Sequence, residues 1–290
     1  MYDSIQSFKD KMDGGQLCVG PTVSFSDASV TEALAATADY IWIDLEHSPT
    51  NFESMVNHII ACRACRVPGI VRVPSGEIAW IKRVLDAGAD GIILPQAQCV
   101  DEVRHFVNAC RYPMQGTRGY GPRRSTNYGR VGNESYLSQA NSQTFVVGQI
   151  ESKALVDNID ALVSIEGLDG VVIGPYDLSG SYGLPGDIDH PTVVEAIQVS
   201  IDKCREAGVY VGVGMGSNAD TAKRWHAAST AVGVRALTGS SCQSRAGPEG
   251  ARSGARSSNM KALVPPTPSE LTPARSGPPS ASHGRRSPLT

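Results

Sequence analysis

The sequence lacks the features that would assign it to a membrane or nucleic-acid class. No run approaches the roughly 18 apolar residues of a spanning helix, and the charged first 15 residues predict no secretory signal. The net charge is −3, with 19% charged residues, which indicates no nucleic-acid partner. No Gly-rich dinucleotide fingerprint is visible. These absences favour a cytoplasmic protein that acts on a small molecule.

The C-terminal segment contains few large apolar side chains. Residues 227–290 contain no Ile, Phe, Tyr or Trp, and their net charge is +6, which leaves −9 for residues 1–226. Such a segment cannot bury enough apolar surface to offset its ordering entropy. We therefore expect a folded domain over 1–226 and a disordered tail over 227–290. Residues 231–237 are the candidate for an eighth strand, and a poor one.

The cysteines lack a metal or disulfide framework. There are seven, an odd number. Cys62 and Cys65 have zinc-like spacing, but no second pair and no His at ligand spacing accompanies them. We expect reduced, structural thiols in a reducing compartment.

Apolar strand-like runs alternate with helical patterns along the chain. The runs are continuous, which is typical of a parallel sheet covered on both faces. Seven βα units in about 225 residues fit a barrel better than an open sheet. We therefore predict an α/β fold, a TIM (β/α)8 barrel with an incomplete or degenerate eighth unit. The strands are expected at 17–25, 40–46, 69–74, 91–95, 144–150, 170–174 and 209–215, and the helices at 4–12, 27–38, 51–65, 78–87, 100–111, 136–142, 153–165, 191–207 and 218–225.

Polar residues gather where the predicted strands end, on the face that carries the active sites of such barrels. They are Asp44, Glu46, His47, Arg72, Gln96, Gln149, Glu151 and Asp177. The long basic segment 112–133 is expected to form a loop over the mouth.

Two of these carboxylates predict a metal site. Glu151 and Asp177 end the two strands of one βαβ unit, so both should emerge at the same sheet edge. Two protein ligands are typical of a Mg²⁺- or Mn²⁺-like site that takes its other ligands from water and substrate. Gln149 lies on the same strand face as Glu151. The alternative is a pair of solvated strand-end carboxylates, with Asp177 as a helix N-cap.

Three further groups suggest acid–base and anion chemistry. If the chain turns after the second strand, Asp44 can orient His47 as a general acid/base. Arg72 is a cation inside an apolar strand, so it either holds a developing oxyanion or forms a plain ion pair. Backbone N–H groups after Gly174 and Pro175 could receive a carboxylate. His58 and His105 fall mid-helix and are interpreted as packing or surface residues, and His190 as a helix-start residue.

Lysine is missing where a covalent aldolase needs it. A Schiff-base enzyme requires a lysine at the C-terminal end of a strand. The nearest, Lys153, begins a helix instead. This absence favours metal-dependent chemistry over enamine chemistry.

Together these motifs resemble the HpcH/HpaI family of metal-dependent, pyruvate-type 2-keto acid aldolases, from about residue 17 to 225. The resemblance rests on residues 44–49, 71–74, 81–89, 94–95, 116–119, 149–151 and 173–179. It implies a TIM barrel that assembles as a homo-oligomer and binds a divalent metal, Mg²⁺ or Mn²⁺ with Co²⁺ as a third candidate, through Glu151 and Asp177. By the same resemblance, Arg72 stabilises the pyruvate enolate and the His47–Asp44 pair handles the proton. Trp42 and the 120–136 region are similar to the branch that contains macrophomate synthase.

The expected function is therefore a divalent-metal-dependent carbon–carbon lyase that cleaves a 4-hydroxy-2-keto acid through a pyruvate enolate. Gln149, Gly174, Pro175 and Trp42 are the expected substrate-binding residues. One alternative is oxaloacetate decarboxylation with macrophomate synthase-like enolate addition. The other is a catalytically impaired relic, because the altered C-terminal segment resembles the product of a frameshift or a wrongly assigned exon.

Overall fold

The computed structural model describes residues 3–215 and, for the backbone alone, 236–241. Helices and strands alternate along the chain from an N-terminal helix. The elements are α1 (Asp3–Asp13), β1 (Leu17–Val23), α2 (Ala28–Ala35), β2 (Ile41–Asp44), α3 (Phe52–Cys65), β3 (Gly69–Arg72), α4 (Ile78–Asp86), β4 (Gly91–Leu94), α5 (Val100–Cys110), α6 (Asn133–Gln143), β5 (Phe145–Ile150), α7 (Lys153–Asp157), α8 (Ile159–Val163), β6 (Gly170–Ile173), α9 (Pro175–Ser181), α10 (Pro191–Glu206), β7 (Tyr210–Met215) and β8 (Ala236–Ser241).

The helix boundaries follow from local side-chain chemistry. The side chains of Asp27 and Asn51 accept backbone N–H bonds at the starts of α2 and α3, as N-caps do. His190 caps α10 in the same way, through Nδ1 and the N–H of Thr192 at 3.3 Å, which confirms its predicted place. Gly88 and Gly208 have φ of +90° and +71° after α4 and α10, where glycine ends a helix without strain.

Two helices differ from the sequence prediction. The single helix expected over 153–165 is divided into α7 and α8, because Asn158 leaves the helical conformation with φ −116° and ψ 27°. The short helix α9 was not predicted, and it begins at Pro175, a residue that favours the first position of a helix. The expected helix at 218–225 lies outside the described residues.

The strands β1 to β7 pair in sequence order, and every pair is parallel. In register, Asp44 faces Arg72 across β2 and β3. The backbone of β8 pairs with both edges of this sheet. Leu17 of β1 lies opposite Ala236, and Met215 of β7 lies opposite Ser240. Of the expected eighth strand at 231–237, the structure places only the last two residues in β8.

The predicted fold class, a TIM (β/α)8 barrel, is therefore wrong for this chain. What the structure describes in full is an α/β fold with seven parallel strands curled into a half-barrel. Residues 216–235, between β7 and β8, lie outside the described part of the chain. The sequence of β8, Ala-Leu-Thr-Gly-Ser-Ser, has one large apolar side chain, too few for a strand buried on both faces.

Two apolar layers hold the sheet. Alternate strand residues pack outward against the helices, while the inward residues form an inner layer. The helix α1 closes the N-terminal end of the inner layer, because it buries Ile5, Phe8 and Met12 there. Lys9 of α1 also pairs with Asp169 at 3.1 Å, before β6 begins.

The long segment 112–133 does not lie over the mouth, so that prediction is wrong. It follows α5, which runs antiparallel to the strands and ends beside their N-terminal ends. Arg118 pairs with Asp86 at the end of α4, at 2.7 Å, and Arg124 donates to the carbonyl of Ala87. Tyr112 is buried in the inner layer beside α1. The segment therefore lies at the face opposite to the strands' C-terminal ends.

No helix among residues 3–215 is long and apolar enough to cross a membrane. Cys62 and Cys65 are free thiols on α3, and burial raises the pKa of the Cys62 thiol. By its contacts the chain divides into a compact unit from Met1 to Ser244 and a second from Arg245 to Thr290, and the second lies outside the described residues. Of the tail expected to be disordered, 227–290, the structure describes only the backbone of 236–241, which forms β8.

Candidate active site

The inward-facing residues at the ends of β2 and β3 form a buried ion pair. Arg72 donates from Nε and Nη2 to the two carboxylate oxygens of Asp44, at 3.0 and 2.8 Å. The ring of Trp42, two residues before Asp44 on the same strand face, lies 5.3 Å from the guanidinium carbon. Arg72 also approaches Glu46, with Nη1 at 3.0 Å from Oε2. The Glu46 Oε2 atom is buried without a hydrogen-bond partner among the described residues, so this contact is an ion pair only. Both N–H groups of Nη1 and one of Nη2 are therefore left for a further anion.

The predicted pairing of Asp44 with the His47 ring does not occur in the structure. The chain does turn as expected, because Oδ1 of Asp44 accepts the backbone N–H groups of Glu46 at 3.0 Å and His47 at 3.4 Å. This turn and Arg72 occupy the Asp44 carboxylate. The His47 imidazole instead lies 3.5 Å from Oε2 of Glu46, and 61% of its side chain is exposed.

Glu151, just past β5, is held by two donors. Gln149 donates from Nε2 to Oε1 at 2.6 Å, and the backbone N–H of Gln96 donates to Oε2 at 2.8 Å. Gln96 can do this because it adopts a left-handed conformation, with φ +55°, directly after β4. The oxygen of the Gln149 amide is buried and has no hydrogen-bond partner among the described residues. The indole N–H of Trp42 is likewise buried without one.

Gly174 provides the space that Glu151 occupies. A Cβ at residue 174 would lie 2.8 Å from both Cγ and Oε1 of Glu151, closer than real Cβ contacts. Pro175 then begins α9, and Asp177 follows in its first turn, exposed at the same sheet edge. The first N–H groups of α9 have no acceptor within the helix, and that of Tyr176 is the nearest to Gly174.

Burial, with a smaller contribution from neighbouring carboxylates, raises the pKa of the buried carboxyls of the site. Burial raises the pKa of Glu151 to about 7, and the charges of Asp177 and Glu46 add to this effect against Gln96 and Arg72. The pKa of Glu46 is also raised, first by burial, with Arg72 and His47 opposing. Burial lowers the pKa of Arg72, but the hydrogen bond and charge of Asp44 outweigh it and raise the value overall. A cation between Glu151 and Asp177 would offset this repulsion.

The donor set fits a hard divalent cation. Glu151 and Asp177 offer carboxylate oxygens, which Mg²⁺ and Mn²⁺ prefer, and Glu151 is already oriented by Gln149 and Gln96. Among the described residues, no group of three His, Cys, Asp or Glu side chains could hold a metal by itself. A cation here would therefore complete its coordination with water or substrate oxygens.

The predicted site residues therefore lie at one face, with two additions. Glu46 and Gln96 were noted as strand-end polar residues but not as members of the site. Glu46 follows Asp44 by two, the spacing of residues on one face of a strand, and that spacing could have indicated it. The role of Gln96 comes from its backbone, and no side-chain pattern could have shown it.

Comparisons with known proteins agree with this arrangement. Residues 22–242 match the HpcH/HpaI aldolase/citrate lyase family. The chain is 36% identical over 234 residues, 78% of its own length and 86% of the relative's, to 2-keto-3-deoxy-L-rhamnonate aldolase of Escherichia coli O157:H7. The crystal structure of an HpcH/HpaI aldolase/citrate lyase family protein from Burkholderia cenocepacia J2315 superposes with a TM-score of 0.74 at 34% identity, covering 81% of this chain and 92% of that one. For macrophomate synthase the TM-score is 0.70 at 30% identity, covering 82% and 83%.

The family predicted from the motifs and the predicted class of enzyme, an aldolase-type carbon–carbon lyase, are both confirmed by these matches. The chain belongs to the HpcH/HpaI aldolase/citrate lyase family.

Proposed function

We propose that this chain cleaves a 4-hydroxy-2-keto acid to pyruvate and an aldehyde, with a divalent metal held by Glu151 and Asp177. The observation that carries the proposal is the placement of Arg72. It directs a partly unsatisfied guanidinium toward the edge where two carboxylates can hold a cation. A 2-keto acid that met the cation through its carboxylate and keto oxygens would lie beside this guanidinium.

The bound metal would supply Lewis-acid polarisation of the keto group. The remaining steps belong to the chain's own residues. His47, exposed at the mouth and close to Glu46, takes the proton of the 4-hydroxyl group as the C3–C4 bond breaks and the aldehyde leaves. The electron pair of that bond becomes the enolate, and the free N–H groups of Arg72 stabilise its oxygen. A proton returned to C3 completes pyruvate.

The other predicted binding residues take supporting roles in this proposal. The N–H groups that follow Gly174 and Pro175 receive the substrate carboxylate. Gln149 orients Glu151, and its unsatisfied oxygen accepts from a substrate hydroxyl. Trp42 places its ring 5.3 Å from the guanidinium carbon of Arg72 and helps to hold that group in position. Asp44 positions Arg72 and does not act on the proton.

We propose Mg²⁺ or Mn²⁺ as the physiological ion, with Co²⁺ as a third candidate, because two carboxylates favour hard cations. We also propose a homo-oligomer, because the resemblance to the family implies one. Free thiols at Cys62 and Cys65 support a reducing, cytoplasmic location. Light scattering of the purified protein tests the oligomer.

The test uses Glu151→Gln and Asp177→Asn beside the wild type, with calorimetric Mn²⁺ titration and pyruvate release from a 4-hydroxy-2-keto acid. Each variant removes one charged ligand of two, so metal affinity and turnover should fall together. Glu134→Gln, exposed at the start of α6 next to segment 112–133, is the control and should change neither. Metal-independent pyruvate release by the wild type, or normal turnover of both variants, would contradict the proposal.

A second candidate, oxaloacetate decarboxylation followed by enolate addition, has the similarity to macrophomate synthase in its favour. It uses the same enolate and the same residues. Parallel assays with oxaloacetate and with 4-hydroxy-2-keto acids separate the two functions. A third outcome, a folded protein that binds Mn²⁺ but releases pyruvate from neither, would support the impaired relic.

A further inference from the structure

The loop after β1 exposes an aromatic ring beside the candidate site. Phe25 lies two residues past the end of β1, and half of it is exposed. Its backbone carbonyl accepts from Nε2 of His58 at 2.8 Å and from Oγ1 of Thr50 at 3.4 Å. Thr50 belongs to the same loop as Glu46 and His47. The Phe25 loop is therefore attached to the loop that carries the proposed general acid/base.

The attachment is a buried polar network rather than a chance contact. His58 is completely buried in α3, and its Nδ1 lies 2.8 Å from the hydroxyl of Thr31, which is also completely buried. Nε2 must donate to the Phe25 carbonyl, and in the neutral imidazole Nδ1 then accepts from the Thr31 hydroxyl. A fully satisfied buried network of this kind fixes one conformation. It holds the Phe25 backbone in place while the ring remains open to solvent.

Two other large apolar side chains are exposed at the same face. Tyr176, directly before Asp177, is 59% exposed, and Ile78, at the start of α4 after β3, is 60% exposed. Single exposed apolar residues are ordinary, but three on the loops after β1, β3 and β6 give an apolar rim to a polar pocket. The name apolar rim is used below for Phe25, Ile78 and Tyr176.

The same loops are free of basic side chains. In the described segments 24–27, 45–51, 73–77, 95–99, 151–152 and 174–190 there is no Lys or Arg. The acidic residues there are Asp27, Glu46, Glu77, Glu151, Asp177, Asp187 and Asp189. An anionic group that approached these loops would therefore be repelled, apart from the one that a metal and Arg72 receive.

We propose that the apolar rim selects the aldehyde half of the substrate, that this half is uncharged and apolar, and that Phe25 is the main specificity-determining residue. The proposal rests on the proposed aldolase function. The leaving aldehyde must depart from the enolate toward solvent, and the rim residues stand on that side. An alkyl or aryl group would cover Phe25 and Tyr176 from water, whereas a carboxylate or phosphate would meet only acidic loops.

The test runs the reaction in the direction of synthesis, with pyruvate, Mn²⁺ and three aldehydes: benzaldehyde, glycolaldehyde and glyoxylate. Wild type is compared with Phe25→Ser and with Tyr128→Ser, an exposed tyrosine on the opposite face. We expect benzaldehyde to have the highest kcat/KM and glyoxylate the lowest. Phe25→Ser should lower kcat/KM for benzaldehyde about tenfold or more, through KM, and leave glycolaldehyde nearly unchanged. Tyr128→Ser should leave kcat/KM unchanged for both benzaldehyde and glycolaldehyde.

Exchange of the pyruvate methyl protons in D₂O, monitored by NMR, distinguishes a failure of the specificity proposal from a failure of the proposed aldolase function. It needs the enolate but no aldehyde, so Phe25→Ser should retain the wild-type exchange rate. Normal exchange together with a preference for glyoxylate, or with unchanged selectivity in Phe25→Ser, would overturn the specificity proposal and leave the aldolase intact. No exchange in the wild type would overturn the proposed function itself. An unchanged melting temperature excludes misfolding of Phe25→Ser as the cause.

Discussion

Arg72 has two roles that sequence reasoning could not separate. Its hydrogen bonds with Asp44 and its ion pair with Glu46 make it an ion-pair partner, and its three remaining N–H groups make it a donor for an enolate. These roles are compatible, because a guanidinium has five N–H groups and Asp44 takes two. The buried pair with Asp44 orients the Arg72 guanidinium, and the N–H groups that remain free determine which group it can bind.

Arg72→Lys separates the two roles experimentally. The ammonium keeps the charge beside Asp44 but cannot reproduce a bidentate contact and also face the substrate. We expect kcat about 10²–10³-fold lower, with metal affinity and melting temperature close to wild type. Arg72→Ala should additionally destabilise the fold by about 3–5 kcal/mol, because Asp44 is left buried without its cation. A rise in KM alone for Arg72→Lys would contradict the oxyanion role.

Gly174 offers a test of Glu151 that alters no charge. A Cβ at residue 174 must displace the Glu151 side chain, since it would lie 2.8 Å from Cγ and Oε1. The φ of −100° at Gly174 is open to any residue, so backbone strain does not contribute. Gly174→Ala should therefore weaken Mn²⁺ binding and lower turnover while it leaves the melting temperature nearly unchanged.

Gly180→Ala is the matched control, because it lies in the same short helix and a Cβ there meets nothing within 4 Å. We expect wild-type Mn²⁺ affinity for this variant in the same calorimetric titration. Equal affinities for the two alanine variants would show that the Glu151 position is unimportant for metal binding.

At the scale of elements, the sequence predicted the seven strands and their order, because continuous apolar runs bounded by glycine and proline have few other interpretations. It misplaced segment 112–133, since a long basic loop has no pattern that tells which end of the sheet it contacts. The observed contacts of Arg118 and Arg124 with the end of α4 decide that. The Asp44–His47 pairing failed for a similar reason. Sequence spacing allowed it, but Arg72 on the neighbouring strand is the stronger partner of Asp44.

The contact between α3 and the β1 loop predicts a pH dependence of stability. Burial lowers the pKa of His58, and the bond to the Phe25 carbonyl opposes this only partly. The folded state therefore binds the proton less readily than the unfolded state, whose His has a pKa of about 6.5. The stability from neutral His58 is fully present above that value and is lost as the pH falls below it.

His58→Gln measures this contribution, since an amide can still donate to the Phe25 carbonyl but does not titrate. Urea unfolding at pH 8 should show the variant less stable by about 1–3 kcal/mol, because the Thr31 hydroxyl loses its partner. The difference in free energy of unfolding between wild type and variant should be smaller at pH 5.5. His105→Gln, an exposed mid-helix position, is the control. A gap that widened at acid pH would mean that His58 is charged in the folded protein.

At the scale of the molecule, the fold is a curled sheet whose two edge strands, β1 and β7, both pair with one short strand, β8. The strand β8 pairs six backbone positions with β1 and five with β7. Without these contacts, both edges would present unpaired N–H and C=O groups. Composition could not reveal this, because a strand that pairs through its backbone needs no large side chains. The expected boundary at residue 226 would remove that strand.

Two truncations therefore have opposite expected outcomes. A chain that ends at residue 244 retains β8 and the whole first compact unit, so its thermal unfolding should match the full-length protein. A chain that ends at residue 226 should lose cooperative unfolding and aggregate, because the edges of β1 and β7 are left unpaired. Calorimetry and light scattering measure both. If the 226-residue chain unfolded as cooperatively as the 244-residue chain, β8 would contribute nothing, and the seven-strand half-barrel would be sufficient by itself.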